Sequence, residues 1–179
     1  MRALVVYESM FGNTRDVARA VADGIATRMP VELVEVAGAP TSIPADVGLL
    51  LVGCPTHGHG EPNPKTRADA AERAGDRLVS RGIGLSEWLD EVRPASETIA
   101  TVAFDTRIKG PELLWGSAAK AVTKRLRGLR FKIVAKPESF LVGGPTGPLF
   151  DRLAPGELER ATAWGAGVAA AVAPSTGAR

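Results

Sequence analysis

The sequence predicts a single α/β domain built on a parallel sheet, and three observations carry that prediction. Near-continuous apolar runs at residues 3–7, 47–53 and 99–104 read as strands covered on both faces, because a strand with a helical layer on each side has no polar face to show. Between and after these runs lie segments with helical period. Val17, Val21 and Ile25 form a stripe in 14–28; Leu85, Trp88, Leu89 and Val92 form one in 84–92; Ala118, Ala121, Val122, Leu126 and Leu129 form one in 117–129. No repeat or low-complexity linker interrupts the alternation, so strands and helices belong to one doubly wound unit.

The remaining elements follow in order. Residues 31–36 alternate only partly and read as an edge strand. Residues 131–134, resuming at 139–142 after Lys136-Pro137, form a fifth strand with a break. Residues 156–172 form the last helix; the apolar run 161–174 is too short to span a bilayer and reads as a helix packed on the sheet. The domain is therefore expected over 1–173, with 174–179 a frayed tail. A five-stranded parallel sheet with an edge-like second strand suggests the order 2-1-3-4-5, which places a ligand in the crevice between strands 1 and 3 at their carboxyl ends. The loops facing that crevice are 8–14, 54–64 and 105–115.

Composition narrows the classes. With 179 residues, 45% hydrophobic and 23% charged, the chain has enough apolar surface for one core without covalent staples. A single cysteine excludes an internal disulfide and a Cys-rich metal site. The apolar start ends at Glu8, too early for a signal peptide, and a cytoplasmic location is expected. Cys54, His57 and His59 are closely spaced but have no distant fourth ligand, so no metal site is assigned; Cys54 reads as a small buried residue at a strand end. A phosphoryl-accepting receiver of the same topology needs an aspartate where Cys54 stands. Nucleophile-elbow, P-loop and dinucleotide-fingerprint motifs are absent, and no catalytic side chain is assigned.

The most informative stretch is the junction of the first strand and helix, Ser9-Met10-Phe11-Gly12-Asn13-Thr14. A strand, a tight turn and a helix N-terminus present free backbone N–H groups and the positive end of the helix dipole, and the hydroxyls of Ser9 and Thr14 add donors. Phosphate is the natural ligand of such a loop; ordinary helix capping by Asn13 or Thr14, with Gly12 supplying the positive φ, is the alternative.

This loop resembles the phosphate loop of the flavodoxins, T/S-x-T-G-x-T. Pro55-Thr56-His57-Gly58 looks like their second flavin loop, and Phe104-Asp105-Thr106-Arg107 falls where the third belongs. The resemblance extends over essentially the whole chain and implies the flavodoxin-like fold and an FMN cofactor. It implies that Ser9, Gly12, Asn13 and Thr14, with the backbone of Met10 and Phe11, hold the FMN phosphate without a basic side chain. Pro55 to Gly58 would lie along the isoalloxazine ring, and Asp105 to Arg107 would bond its pyrimidine edge through backbone groups. An electron-transfer protein working between a flavin reductase, or other redox protein, and an unknown acceptor is the implied function.

Departures from the family pattern leave alternatives open. Phe11 stands where a third hydroxyl is usual. No tyrosine is available to stack on the ring; Trp115 is the nearest candidate, and it serves equally as an apolar cap beside Leu113 and Leu114, which look like packing residues. Residues 61–84 exceed what a flavin loop needs, and 66–73 form a short helix expected to overhang the site. The net charge is +2, and residues 107–136 hold nine Lys or Arg against one acid, with Lys120, Lys124 and Arg127 at helical spacing. That stripe reads either as solvated surface or as a docking face for an acidic redox partner or a nicotinamide cofactor's phosphates. No aromatic platform or recognition helix accompanies it, so nucleic acid is not expected. The alternative functions are an FMN-dependent NAD(P)H:quinone oxidoreductase, with the long second loop as substrate wall, and a binding module that has lost FMN.

Overall fold

The computed structural model describes residues 1–96, 98–111, 113, 116–144 and 151–172. In chain order the elements are β1 (Arg2–Tyr7), α1 (Asn13–Ala26), β2 (Val31–Glu35), β3 (Ser42–Ile43), β4 (Val47–Pro55), α2 (Pro64–Ala74), α3 (Leu85–Glu91), β5 (Arg93–Pro94), β6 (Ala100–Ile108), α4 (Ala118–Gly128), β7 (Lys132–Ile133), β8 (Glu138–Val142) and α5 (Glu157–Val172). The main sheet runs β2-β1-β4-β6, with β7 and β8 pairing in turn along the outer side of β6, and its strand ladders are parallel. This is the 2-1-3-4-5 order expected from the sequence, with the broken fifth strand divided into β7 and β8.

Side-chain alternation along the three central strands sorts the core into two layers. Ala3, Val5 and Tyr7 of β1, Leu49 and Leu51 of β4, and Val102 and Phe104 of β6 face α1 and α5. Leu4, Val6, Leu50, Val52 and Ala103 face the opposite way, onto α3 and α4. Each fully buried Val, Leu or Phe contributes about 1.5–3 kcal/mol relative to exposure, which is why a strand buried on both sides carries an unbroken apolar run. The partly exposed β2 closes one edge.

Three features depart from the sequence reading. Strand β6 continues past Phe104 to Ile108, because β4 pairs with it as far as Pro55–Thr106 and β8 pairs along Phe104–Ile108 on its other side. A second, two-stranded parallel sheet of β3 and β5 is too short to leave a periodic signature. Leu113, read as a packing residue, is 93% exposed. Trp115, Leu114 and the tail at 174–179 lie outside the described residues. Among the described residues, no helix is long and apolar enough to cross a membrane.

Helices α1 and α5 approach until backbone meets backbone. A Cβ on Gly165 would stand 2.3 Å from the Val21 carbonyl oxygen, and one on Gly24 would stand 2.0 Å from that of Thr162. The two glycines make this crossing sterically possible, and Ala161, Val168 and Ala169 then complete the layer against Val17 and Val21. Gly165→Ala should therefore destabilise the protein by about 1–3 kcal/mol through overpacking, read as a lowered urea midpoint at unchanged m-value; a midpoint equal to that of the unmodified protein would show that the helices separate freely.

Candidate functional site

A cleft of about 480 Å³ opens at the carboxyl ends of β1, β4 and β6, the crevice that the strand order predicts. One wall is the 9–14 loop, the second is Pro55–Gly58, and the third is Thr106, Arg107 and Ile108. Helix α2 with the following turn contributes Thr66, Asp69, Ala70, Arg73 and Arg77, and Val142, Gly143, Gly144 and Asp151 complete the lining. The overhanging helix expected from residues 66–73 is thus α2. Its start is set by a capping box, in which Asn63 accepts from the Thr66 N–H and the Thr66 hydroxyl accepts from the Asn63 N–H.

The first loop takes its shape from Gly12, whose φ of 103° is readily adopted by glycine alone. That conformation lets the Gly12 N–H donate to Ser9 Oγ at 3.1 Å and the Gly12 carbonyl accept the first helical bond from Asp16. Among the described residues, no side chain caps α1. The contrast with its neighbours is chemical: α2 has its capping box, the first turn of α3 receives Glu8 Oε2 on the Leu85 N–H, and that of α4 receives Asp105 Oδ2 on the Ala119 N–H. The α1 N-terminus keeps its donors and dipole directed at the cleft. Two hydroxyls reinforce it. Ser9 Oγ accepts from Gly12, leaving its own proton to donate outward; Thr14 and Thr106 hydroxyls bond each other at 2.7 Å, so the pair retains one proton for a further acceptor. The Asn13 amide, by contrast, turns to the Asp151 carbonyl and carboxylate at 3.2 and 3.3 Å. Phe11 sits at the rim, 38% exposed.

The second loop is held by strand pairing and by one carboxylate. The Thr56 N–H donates to the Thr106 carbonyl at 2.8 Å, the Thr56 hydroxyl donates to Asp105, and the same hydroxyl accepts from the Ala118 N–H. His57 Nδ1 lies 3.2 Å from the Thr66 hydroxyl, and burial, aided by the Arg67 charge, pushes its pKa down to about 4. The ring is neutral at physiological pH. His59 is exposed.

The third segment corrects the sequence expectation. Phe104 is fully buried and packs edge-to-face on Phe140 and Trp164 at 6.2 and 6.0 Å. Asp105 is also fully buried and turned toward α4. Neither lines the cleft. The backbone of 104–106 is engaged in ladders on both sides, whereas Arg107 pairs with β8 alone, and of this segment Thr106 and Arg107 line the cleft. Arg107 itself is folded back, with its guanidinium donating to the Ile108 and Gly110 carbonyls at 3.3 and 3.0 Å. Cys54 is buried and its thiol is held protonated, first by burial and then by the Asp105 and Glu8 carboxylates, in keeping with a packing role.

Several residues in the cleft or behind its walls have no signature in the sequence. Arg77 and Asp151 belong to segments without a motif, and Ser80, one residue among loop hydroxyls, is recognisable only by its long-range bonds. Glu8, which ends the first apolar run, is fully buried, pairs with Arg67 at 2.7 Å and thereby ties α2 to β1. Burial is the dominant influence on its carboxyl and raises its pKa. Lys120, Lys124 and Arg127 lie exposed along α4, whereas Arg125 turns inward to Glu61 and Asp90.

The family model described as Flavodoxin matches residues 5–164. No curated protein matches the sequence. Among solved structures, flavodoxin 1 from Bacillus cereus superposes with a TM-score of 0.63 at 18% identity, covering 94% of this chain and 97% of its own. A flavodoxin from the domain Archaea gives 0.60 at 17%, with 96% and 99% covered. Rubredoxin oxygen:oxidoreductase from Desulfovibrio gigas gives 0.57 at 18%; it covers 96% of this chain, but only 36% of that longer protein is matched.

The His57 environment has a measurable consequence. Because the folded state holds the ring neutral down to about pH 4 while the unfolded chain takes up a proton near pH 6.5, the native state should lose stability as pH falls between those values, by up to ~1.4 kcal/mol per pH unit. His57→Gln removes that dependence. Subtracting the variant's urea-derived stability from that of the unmodified protein at pH 7 and pH 4.5 cancels the carboxylates common to both; a difference that stays constant over this interval would contradict the neutral, half-buried ring.

Proposed function

The chain belongs to the flavodoxin family, and from that premise we propose that it is an FMN-dependent electron carrier taking electrons from a reductase and passing them to a second redox protein. FMN is the cofactor of this family. The observation that carries the reading here is the uncapped α1 N-terminus at the cleft, with the Ser9 hydroxyl and the Thr14–Thr106 pair beside it. These donors suit a dianionic phosphate and have no comparable use without an anion. Ser9, Thr14 and the backbone of Met10 to Asn13 would hold the phosphate, while Pro55 to Gly58 and the Thr106–Ile108 strand end would border the ring. Bound FMN supplies one- and two-electron chemistry; the protein binds, orients and shields it.

One observation favours a second reading. Helix α2 contributes Thr66, Asp69, Ala70 and Arg73 to the cleft, so the site has an extra wall able to hold a small oxidant, as an NAD(P)H:quinone oxidoreductase requires. Steady-state NAD(P)H oxidation with a quinone, by the purified protein alone, distinguishes that enzyme from a carrier, which needs a separate reductase.

Two outcomes are expected of the carrier. FMN should bind far more tightly than riboflavin, and Thr14→Ala should cost about 1.5–3 kcal/mol of FMN binding, the worth of a hydrogen bond to a charged group, with little effect on riboflavin. Flavin fluorescence titration measures both, and equal affinities for FMN and riboflavin in the unmodified protein would sink the anion-site reading. The second outcome concerns the exposed face of α4. If Lys124 and Arg127, with Lys120, steer an acidic partner, reduction by a competent reductase should slow steeply as salt rises, since exposed charges are screened over ~10 Å at 0.1 M. Reversing Lys124 and Arg127 to Glu should lower the low-salt rate in stopped flow and leave the thermal midpoint nearly unaltered; identical rates at every salt concentration would assign the stripe to solvated surface.

A further inference from the structure

The segment after α2 returns to the phosphate loop and is fastened to it. The Val79 N–H donates to the Met10 carbonyl at 3.1 Å, the Ser80 N–H donates to the Ser9 carbonyl at 2.9 Å, and the Ser80 hydroxyl accepts from the Ser9 N–H at 2.9 Å. Ser80 is 1% exposed. The backbone of Ser9 and Met10 is thus shaped by a chain segment some seventy positions away, through a short strap that runs antiparallel to it.

Arg77, three residues before Ser80, lines the cleft. A second observation agrees with this placement: burial raises the pKa of the Asp151 carboxyl and the Arg77 charge partly opposes that rise, and Asp151 is the residue that receives the Asn13 amide. The strap bonded to Ser9 and Met10 carries Arg77, and the Asn13 amide holds Asp151, so both residues line the cleft from the side of the 9–14 loop. The chemistry there is unbalanced without Arg77. Phe11 gives the loop no side-chain donor at its tip, and the Asp151 carboxylate is of like sign to a phosphate. A guanidinium offers five N–H donors and a permanent positive charge, which replaces the missing donor and offsets the carboxylate.

We propose that Arg77, held against the phosphate loop by the buried Ser80 hydroxyl, is a specificity-determining residue for the phosphate of the flavin nucleotide, with Ser80 as its positioning residue. The proposal rests on the FMN reading and extends it: phosphate recognition is shared between the α1 N-terminus and the strap.

The test is fluorescence titration of apoprotein with FMN and with riboflavin, for the unmodified protein and for Arg77→Gln, Arg77→Lys and Ser80→Ala. Arg77→Gln should weaken FMN about tenfold, the scale of one exposed charge-assisted contact, and riboflavin less than about twofold. The FMN loss should shrink as salt is raised, because the lost interaction is screened. Arg77→Lys should recover part of the affinity, retaining the charge but not the fork. Ser80→Ala should shift the FMN-to-riboflavin ratio in the same direction, which a general loosening of the fold would not do. Arg77 is exposed, so its variants fold even if Ser80→Ala does not. An unchanged ratio in Arg77→Gln, or equal weakening of both flavins, overturns the proposal while the FMN reading stands; absence of any FMN preference in the unmodified protein overturns both.

Discussion

A fully buried carboxylate organises the mouth of the cleft. Asp105 Oδ2 accepts from the Ser117 hydroxyl at 2.7 Å, the Ala119 N–H at 2.8 Å and the Thr56 hydroxyl at 3.2 Å. One acceptor thereby joins the end of β6, the loop after β4 and the first turn of α4, where negative charge also suits the helix dipole. The Thr56 hydroxyl transmits this order by accepting from the Ala118 N–H at 2.9 Å. Removing the carboxylate would orphan several buried donors together, each costing about 1–3 kcal/mol, so the second loop and α4 depend on the same atom.

With α4 satisfied in this way, the treatment of helix N-termini divides structural from functional work. Asn63 and Thr66 close α2, Glu8 closes α3, and Asp105 with Ser117 closes α4. Helix α1 receives no side-chain cap from the described residues. Its first-turn donors are left for a ligand, and the hydroxyls of Ser9 and the Thr14–Thr106 pair extend them. The arrangement requires the loop to hold its shape without a cap, a task met by Gly12 at positive φ and by the bonds from Val79 and Ser80.

The connection between α2 and α3 is therefore anchored at two points. Glu8, buried beneath it, pairs with Arg67 and accepts from Leu85, and the Ser80 strap grips the phosphate loop. A buried ion pair of this kind adds little net stability, because desolvation offsets the attraction; its value lies in fixing where α2 sits. The consequence is a cleft with an extra wall bearing Arg73 and Arg77, which distinguishes this chain from a plain flavin loop at the level of charge as well as shape.

Sequence alone determined the sheet order, the helix positions, the glycine turn that opens α1 and the existence of α2, because each has a local signature: apolar runs for strands buried on both faces, a 3.6-residue stripe for helices, a hydroxyl and glycine turn before a helix. Tertiary structure decided what local pattern cannot encode. Asp105 reads as a loop residue because the apolar run ends at Phe104, yet pairing with both β4 and β8 keeps both residues in strand and sends their side chains to α4 and to the core. Ser80 and Arg77 carried no motif; their places beside the loop depend on bonds to Ser9 and Met10 far back in the chain. Hydrophobic periodicity reports how deeply a residue is buried and with what repeat, whereas the partner of a buried hydroxyl or carboxylate is chosen only when distant segments meet.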